Sequence, residues 1–305
     1  MDRPAFRRIL VPIDGSPSAE AAVGLALHLA DGGGSVVFAH AINRAAVIGE
    51  SVTPYGAGDP TVAIGPLEDD ESDLFKREMQ RAADIGIPAT TLSLDGVSYD
   101  QIARAAREEH VDAIVMGTRG LGGLASLLVG STAQGVLRRS VVPTIVVRDG
   151  GQVVPGRLRC ILAAIDESET SRDAAYLAVN LASRDGGSVV FVHVAQSPDD
   201  NAAAVAVKFA QEYAHERGVQ HDTAIVHGDS AADAIRISAK VCHADAIAVG
   251  THGRSGFERL VLGSVAEAVI RESTVPVIVV PTAAARSNGS GSASLQPSSL
   301  KTAAR

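Results

Sequence analysis

The sequence predicts an α/β protein of two tandem domains, each an open five-stranded parallel sheet with helices on both faces. Three features predict it. Apolar runs of strand length alternate with segments of helical period along most of the chain. The strand runs are almost continuously apolar, as in RILVPID (8–14) and SVVFAHA (35–41), which suits strands buried on both faces. The order also repeats: AIVMGTRGLGGLASLLVGST at 113–132 returns as AIAVGTHGRSGFERLVLGSV at 246–265.

In the first half, Arg8–Asp14 is a strand that stops at an Asp-Gly-Ser turn, and Ser16-Pro17-Ser18 opens a helix to Ala30. Ser35–Ala41 is the second strand. Asn43–Asp70, rich in Gly, Pro and acidic residues, reads as a long surface loop. A helix over Glu71–Ile85, a strand over Thr90–Leu94, a helix over Ser98–His110, the glycine stretch, a helix to Arg139 and a strand over Pro143–Val147 complete the half. The second half repeats this with strands at Cys160–Asp166, Ser188–Val194, Thr223–Val226, Ala246–Gly250 and Pro276–Val280, and a helix over Ser230–Cys242. Its loop after the second strand, Ala195–Asp200, is shorter. The predicted units are 1–149 and 158–281, with a linker at 150–157. The tail at 282–305 is rich in Ser, Ala and Gly without periodicity and reads as disordered.

Within the repeat the spacing is Gly, two residues, Gly, nine residues, Gly-Ser. Gly117, Gly120, Gly130 and Ser131 fill it first, Gly250, Gly253, Gly263 and Ser264 second. A strand ending in glycine lets backbone approach a ligand, and a helix beginning at Gly-Ser turns its free N–H groups and positive dipole end toward an anion. Ser131 and Ser264 are expected as N-caps. Turns and caps alone would explain one copy; two copies with one spacing favour phosphate. No Lys precedes either serine, which excludes a Walker loop. Gly120, Gly122 and Ala125 match a dinucleotide pattern that the second copy loses, so that match is set aside.

At 305 residues the chain is long for one domain and sufficient for two. A net charge of −8 argues against nucleic-acid binding. No apolar run reaches the roughly 18 residues of a membrane span, and the N-terminus enters a strand at once, unlike a signal peptide. Cys160 and Cys242 give no disulfide framework; they read as inert core residues in a reducing cytoplasm.

Taken together, the chain resembles a tandem member of the universal stress protein family over residues 5–148 and 158–281. The resemblance rests on the double G-x₂-G-x₉-G-S motif, on Asp14 and Asp166 at the ends of the first strands, on strand order and on duplication. It implies ATP as ligand in each half and a regulatory role in stress response and growth arrest. Asp14 and Asp166 would meet ribose or adenine, with Pro12 and Ile13, or Ala164 and Ile165, framing the base. Ala41 and Val194 would offer backbone atoms to adenine. The glycine backbone with Ser131, Thr132 and Ser264 would hold phosphates, and their hydroxyls are candidates for Mg²⁺. Arg119 and His252 stand before the second glycines and Val265 stands where Thr132 does, so the two sites would differ in charge and hydroxyl count. The resemblance also implies pairing of the fifth strands within the chain, and a homodimer through fifth-strand edges.

Hydrolysis needs a positioned water and stabilisation of transition-state charge. Glu258 is the sole carboxylate in either glycine stretch and has no counterpart in the first copy. A slow ATP hydrolase or phosphotransferase, and a nucleotide-free scaffold, stand as alternatives. His40 and His193 occupy matching strand positions and read as structural; the histidines show no metal-ligand spacing common to both halves, so no metal site is predicted beyond Mg²⁺.

Overall fold

A computed structural model describes residues 6–42, 60–118, 129–148, 158–195, 202–251 and 262–282. The first half runs β1 (Arg8–Pro12), α1 (Pro17–Ala30), β2 (Ser35–Ile42), α2 (Pro60–Asp84), β3 (Ala89–Asp95), α3 (Ser98–Glu108), β4 (Ala113–Gly117), α4 (Ser131–Arg139) and β5 (Thr144–Val147). The second runs β6 (Cys160–Ala164), α5 (Glu169–Asp185), β7 (Ser188–Ala195), α6 (Ala202–Glu216), β8 (Gln220–His227), α7 (Ala231–Val241), β9 (Ala246–Gly250), α8 (Ser264–Glu272) and β10 (Val277–Val280).

Within each half every pairing is parallel, in the order β3-β2-β1-β4-β5 and its copy β8-β7-β6-β9-β10. The halves join where β5 and β10 pair antiparallel, Val146 opposite Val277, Ile145 opposite Ile278 and Thr144 opposite Val279. Ten strands thus form one sheet. Alternate strand residues face opposite layers. Ile9 and Val11 join α1, α2, α5 and α6 in one core, while Leu10 joins α3, α4, α7 and α8 in the other.

Intrachain pairing of the fifth strands corrects the expected homodimer edge. Both β5 and β10 have a neighbour on each side, so neither offers free backbone groups to a second chain. The sheet edges are β3 and β8. The predicted loop 43–70 is also corrected in part: α2 begins at Pro60, and residues 43–59 lie outside the described residues. Gly65-Pro66 and the acidic run read as loop in the sequence, but the helix they belong to is anchored by Leu74, Phe75, Met79 and Ala82 on the sheet. β8 is longer than its apolar run suggested, because an edge strand keeps a polar, solvent-facing row such as Gln220 and Asp222. The tail beyond Thr282 and the whole of the linker at 150–157 lie outside the described residues.

Polar contacts reinforce the junction of the halves. Asp185, ending α5, is 8 % exposed; its Oδ2 lies 3.0 Å from His28 Nε2 of α1 and accepts the Leu158 amide at 2.7 Å. Arg184 donates to the carbonyls of His28 (2.6 Å), which also accepts the Asp31 amide (3.2 Å), and Leu29 (3.3 Å) in the last turn of α1. Burial pushes the Asp185 carboxyl up, but His28, the Leu158 amide and the Arg184 charge together outweigh it and hold it below its ordinary value. Across the sheet, Arg148 donates to the Arg271 carbonyl at 2.7 Å.

The two halves pack their matching helices differently. In α4, a Cβ on Gly135 would stand 2.5 Å from Tyr99 Cβ of α3, so the ring lies directly on the helix backbone. Arg139 stacks on that ring at 4.5 Å and pairs with Asp100 at 2.7 Å. The second half has alanine at both corresponding positions, 232 and 268.

Two predictions follow from these contacts. Glycine to alanine in a helix ordinarily stabilises by about 1 kcal/mol, yet Gly135→Ala is expected to cost about 2 kcal/mol through overpacking. Adding Tyr99→Ala restores the copy's packing and recovers part of the loss, read by denaturant unfolding of both variants. Asp185→Ala should cost about 3 kcal/mol near neutral pH by leaving buried partners unmatched. A carboxylate held low contributes stability that is present above its unfolded pKa of about 3.9 and is lost as pH falls through the folded value. The gap between wild type and Asp185→Ala should therefore close in acid; a gap unchanged between neutral pH and strong acid would contradict the assignment.

Candidate functional site

In each half the strand order reverses between the first and fourth strands, and the carboxyl ends of β1 and β4, or β6 and β9, flank that point. The chain leaves β1 through Ile13, whose amide donates to Ala39 O at 2.8 Å, and leaves β6 through Ile165, whose amide donates to Val192 O at 2.8 Å. Asp14 then accepts from the Ser16 amide at 3.0 Å, and Asp166 from the Ser168 amide at 2.9 Å. These turns present Ser16 and Ser168 as N-caps of α1 and α5, accepting from Ala19 N and Ser171 N. Both aspartates thus form turns, half-buried at the carboxyl end of the sheet.

Past the fourth strand the backbone is stapled twice. Thr118 N donates to Val147 O (2.8 Å) and Gly130 N to Thr118 O (2.8 Å); in the copy, Thr251 N donates to Val280 O (3.0 Å) and Gly263 N to Thr251 O (2.7 Å). Entry and exit of each glycine stretch are thereby held together. The N-caps of α4 and α8 are Gly130 and Gly263, with no side-chain cap bond, and Ser131 and Ser264 are the exposed first helical residues. This corrects the expected serine caps: the glycine takes the cap because its amide must close on Thr118 or Thr251. The first-turn N–H groups, without a side-chain acceptor, face the loop with the positive end of the dipole.

Gly117 and Gly250 also make room for neighbouring helices. A Cβ on Gly117 would collide with Ser18 Oγ and stand 2.9 Å from Ala19 N; on Gly250 it would collide with Thr170, 2.7 Å from its Cβ. These glycines let the first turns of α1 and α5 pack on β4 and β9.

Ile13 and Ile165, 4 % and 3 % exposed, point into the core beside α1 and α5, so only their backbone borders the crevice. Pro12, Ala164, Ala41, Val194 and Thr132 are half-buried at their strand or helix ends, and Val265 is 40 % exposed. Arg119, Gly120, His252 and Gly253, with Arg254, Glu258 and Arg259, lie outside the described residues. Sequence reading passed over Thr118, whose buried Oγ1 has no hydrogen-bond partner among the described residues. Its signal was present: threonine follows the first glycine in both copies.

His193 is 1 % exposed with Nδ1 2.9 Å from Ile165 O, a structural tie to the residue before Asp166. Its counterpart His40 instead stands with Nδ1 3.6 Å from Glu71 Oε1 of α2. No group of three or more potential metal-ligating residues occurs among the described residues. No described helix is long and apolar enough to cross a membrane. A cavity of about 230 Å³ lined by Arg236, Lys240, His243 and Asp245 lies at the amino end of β9, away from Gly250.

The model of the universal stress protein family matches residues 5–148 and again 158–281. A universal stress protein of Mycobacterium tuberculosis is 32 % identical over 185 residues, covering 56 % of this chain; the match spans 62 % of that relative's length. Universal stress protein YxiE of Bacillus subtilis is 29 % identical over 147 residues, 47 % of this chain and 99 % of its own. The crystal structure of a universal stress protein from Archaeoglobus fulgidus superimposes with a TM-score of 0.72 at 24 % identity, covering 91 % of this chain and 96 % of that one. A second, from Pseudomonas aeruginosa, gives 0.66 at 18 % identity, covering 93 % and 96 %. At these identities the structural matches establish the fold.

Because Gly117 and Gly250 seat helices, Gly117→Ala and Gly250→Ala should each lose about 2–3 kcal/mol with no nucleotide present, read by denaturant unfolding. Unchanged stability would contradict the seating role.

Proposed function

The chain belongs to the universal stress protein family, and on that premise we propose that each half binds one ATP and that occupancy is the regulatory signal in stress response and growth arrest. The observation that supports this most is the uncapped first turn of α4 and α8 at the strand-order reversal, next to a half-buried aspartate at the end of β1 or β6. Buried Thr118 Oγ1 adds a hydroxyl in want of a partner at the same strand end. Polyanion and ribose fit this donor and acceptor set.

In the proposed complex, the first-turn amides and the Ser131, Thr132 and Ser264 hydroxyls receive phosphate oxygens. Asp14 and Asp166 accept from ribose hydroxyls while keeping their turns. Ala41 and Val194 border the base with backbone atoms. Arg119 and Gly120, with His252 and Gly253, complete the loops. Mg²⁺, where present, neutralises phosphate charge beside those hydroxyls. A homodimer of this chain would use surfaces other than β5 and β10.

Nucleotide released from freshly purified protein by denaturation and separated by chromatography tests the proposal. One ATP per half is expected. Asp14→Asn retains the oxygen that accepts from Ser16 but removes the charge, so it should weaken the first site about tenfold, the equivalent of roughly 1.4 kcal/mol, with the second untouched in calorimetric titration. Asp166→Asn should do the reverse. ADP in place of ATP would favour hydrolysis. An empty protein that refuses added ATP would leave the scaffold.

A further inference from the structure

Superimposing the two halves on their repeated sequence sets Arg8 against Cys160, each opening its domain's first strand. It sets Glu109 against Cys242, each just past the end of the helix before the fourth strand. The frame around both pairs is the same. Asp112 accepts from the Arg7 amide at 2.7 Å and the Arg8 amide at 3.2 Å; its counterpart Asp245 accepts from the Arg159 amide at 2.7 Å and the Cys160 amide at 2.9 Å. Asp112 N donates to Arg8 O at 3.0 Å, and Asp245 N to Cys160 O at 2.7 Å. In the first half the framed side chains meet as an ion pair, Arg8 Nη2 to Glu109 Oε2 at 2.5 Å. In the second half the corresponding positions carry two neighbouring thiols, both partly exposed and packed against the same core, with Cys242 Sγ donating to Ala239 O at 3.7 Å.

We propose that Cys160 and Cys242 are a reversible thiol–disulfide site, oxidised by hydroperoxide, which cross-links the start of β6 to the end of α7 where the first half has its ion pair. They are the chain's two cysteines, so no other thiol competes within the molecule. Cys242 is the attacking sulfur. The neighbouring Cys160 thiol stabilises its thiolate and, against burial, brings it down to about 7. The same neighbour, followed by burial, pushes the Cys160 thiol up. An electron-rich thiolate beside a protonated thiol is the arrangement of an attacking and a resolving cysteine.

The chemistry balances without a metal or a cofactor. The Cys242 thiolate attacks the distal peroxide oxygen; the O–O bond breaks and the alkoxide leaves, taking a proton to give an alcohol, or water from hydrogen peroxide. Cys242 is now a sulfenic acid and its negative charge is gone. Cys160 loses its proton and attacks the Cys242 sulfur; the S–S bond forms, the S–O bond breaks and water leaves. Two thiols and one hydroperoxide give one disulfide, one alcohol and one water. A dithiol returns the pair to its reduced state by exchange. In a reducing compartment such a bond is transient, which suits a sensor better than a structural staple.

The test uses the full chain, reduced and then treated with hydrogen peroxide at low molar excess. Free thiols are counted by maleimide mass tagging after denaturation, and the products are mapped by non-reducing peptide mass spectrometry. Loss of both thiols together, a Cys160–Cys242 cross-linked peptide within one chain and full recovery with dithiothreitol are expected. Cys160→Ser should stop at the Cys242 sulfenic acid, trapped by dimedone. The double variant C160R/C242E, which installs the first half's pair, should fold with an unchanged circular dichroism spectrum and show no response to peroxide. Two thiols that survive peroxide, a disulfide between chains, or Cys242 carried to sulfinic acid while Cys160 stays free would each overturn the proposal.

Discussion

The antiparallel pairing of β5 with β10 is the constraint from which the rest of the architecture follows. It is short, Thr144–Val146 against Val277–Val279, but both strands lie within the sheet rather than at its edge. Their residues Ile145, Val146, Val277 and Ile278 are at most 2 % exposed. Opening this seam would expose two unpaired strands and both cores at once. Because pairing within each half is parallel, the seam also reverses strand direction across the middle of the molecule. Along the strand direction, the carboxyl ends of β1 and β4 therefore face one end of the sheet, and those of β6 and β9 the opposite end. The two proposed nucleotide sites therefore lie at opposite ends of the sheet.

That geometry leaves communication between sites to the seam and to the helices that cross it. His28, Arg184 and Asp185 tie the carboxyl ends of α1 and α5 together. Arg148, one residue beyond β5, ties the first half to the last turn of α8. Both α1 and α5 begin at the turns made by Asp14 and Asp166, and both seat their first turns on the glycines ending β4 and β9. Each helix therefore has its amino end at a candidate site and its carboxyl end at the junction. A rigid element of this kind can carry coupling, provided it has two discrete positions that a ligand distinguishes.

Most of the fold was legible because duplication supplied its own control. A strand seen once in RILVPID and again in CILAAID, with a glycine spacing repeated across unrelated intervening residues, needed little further support. What was missed has local physical causes. The extent of β8 was hidden by the polar row of an edge strand, and the start of α2 by Gly65-Pro66. Serine looked like the cap of α4, yet the Gly130 amide closes on Thr118 and takes that position. Composition could not show that Gly117 yields space to Ser18, since close approach of a helix and of a ligand both select the residue without a Cβ. Fifth-strand pairing was expected, but that it exhausts the edge on which a homodimer would rest emerges only from the assembled strand order.

Duplication within one chain also frees each copy to specialise, and the divergent positions fall into two kinds. Some change the shape of a packing contact, as where Tyr99 against Gly135 becomes alanine against alanine. Others change chemistry inside an unchanged frame. Arg8 and Glu109 become Cys160 and Cys242 while Asp112 and Asp245 keep the same backbone bonds. Thr132 becomes Val265 at the first turn, and Arg119 becomes His252 before the second glycine. A single-domain homodimer would have to carry every such change twice. Joined through β5 and β10, one half has an ion pair at this place, while the other holds two thiols open to thiol–disulfide chemistry. The seam that removes the dimer edge is thus also what permits the two halves to differ.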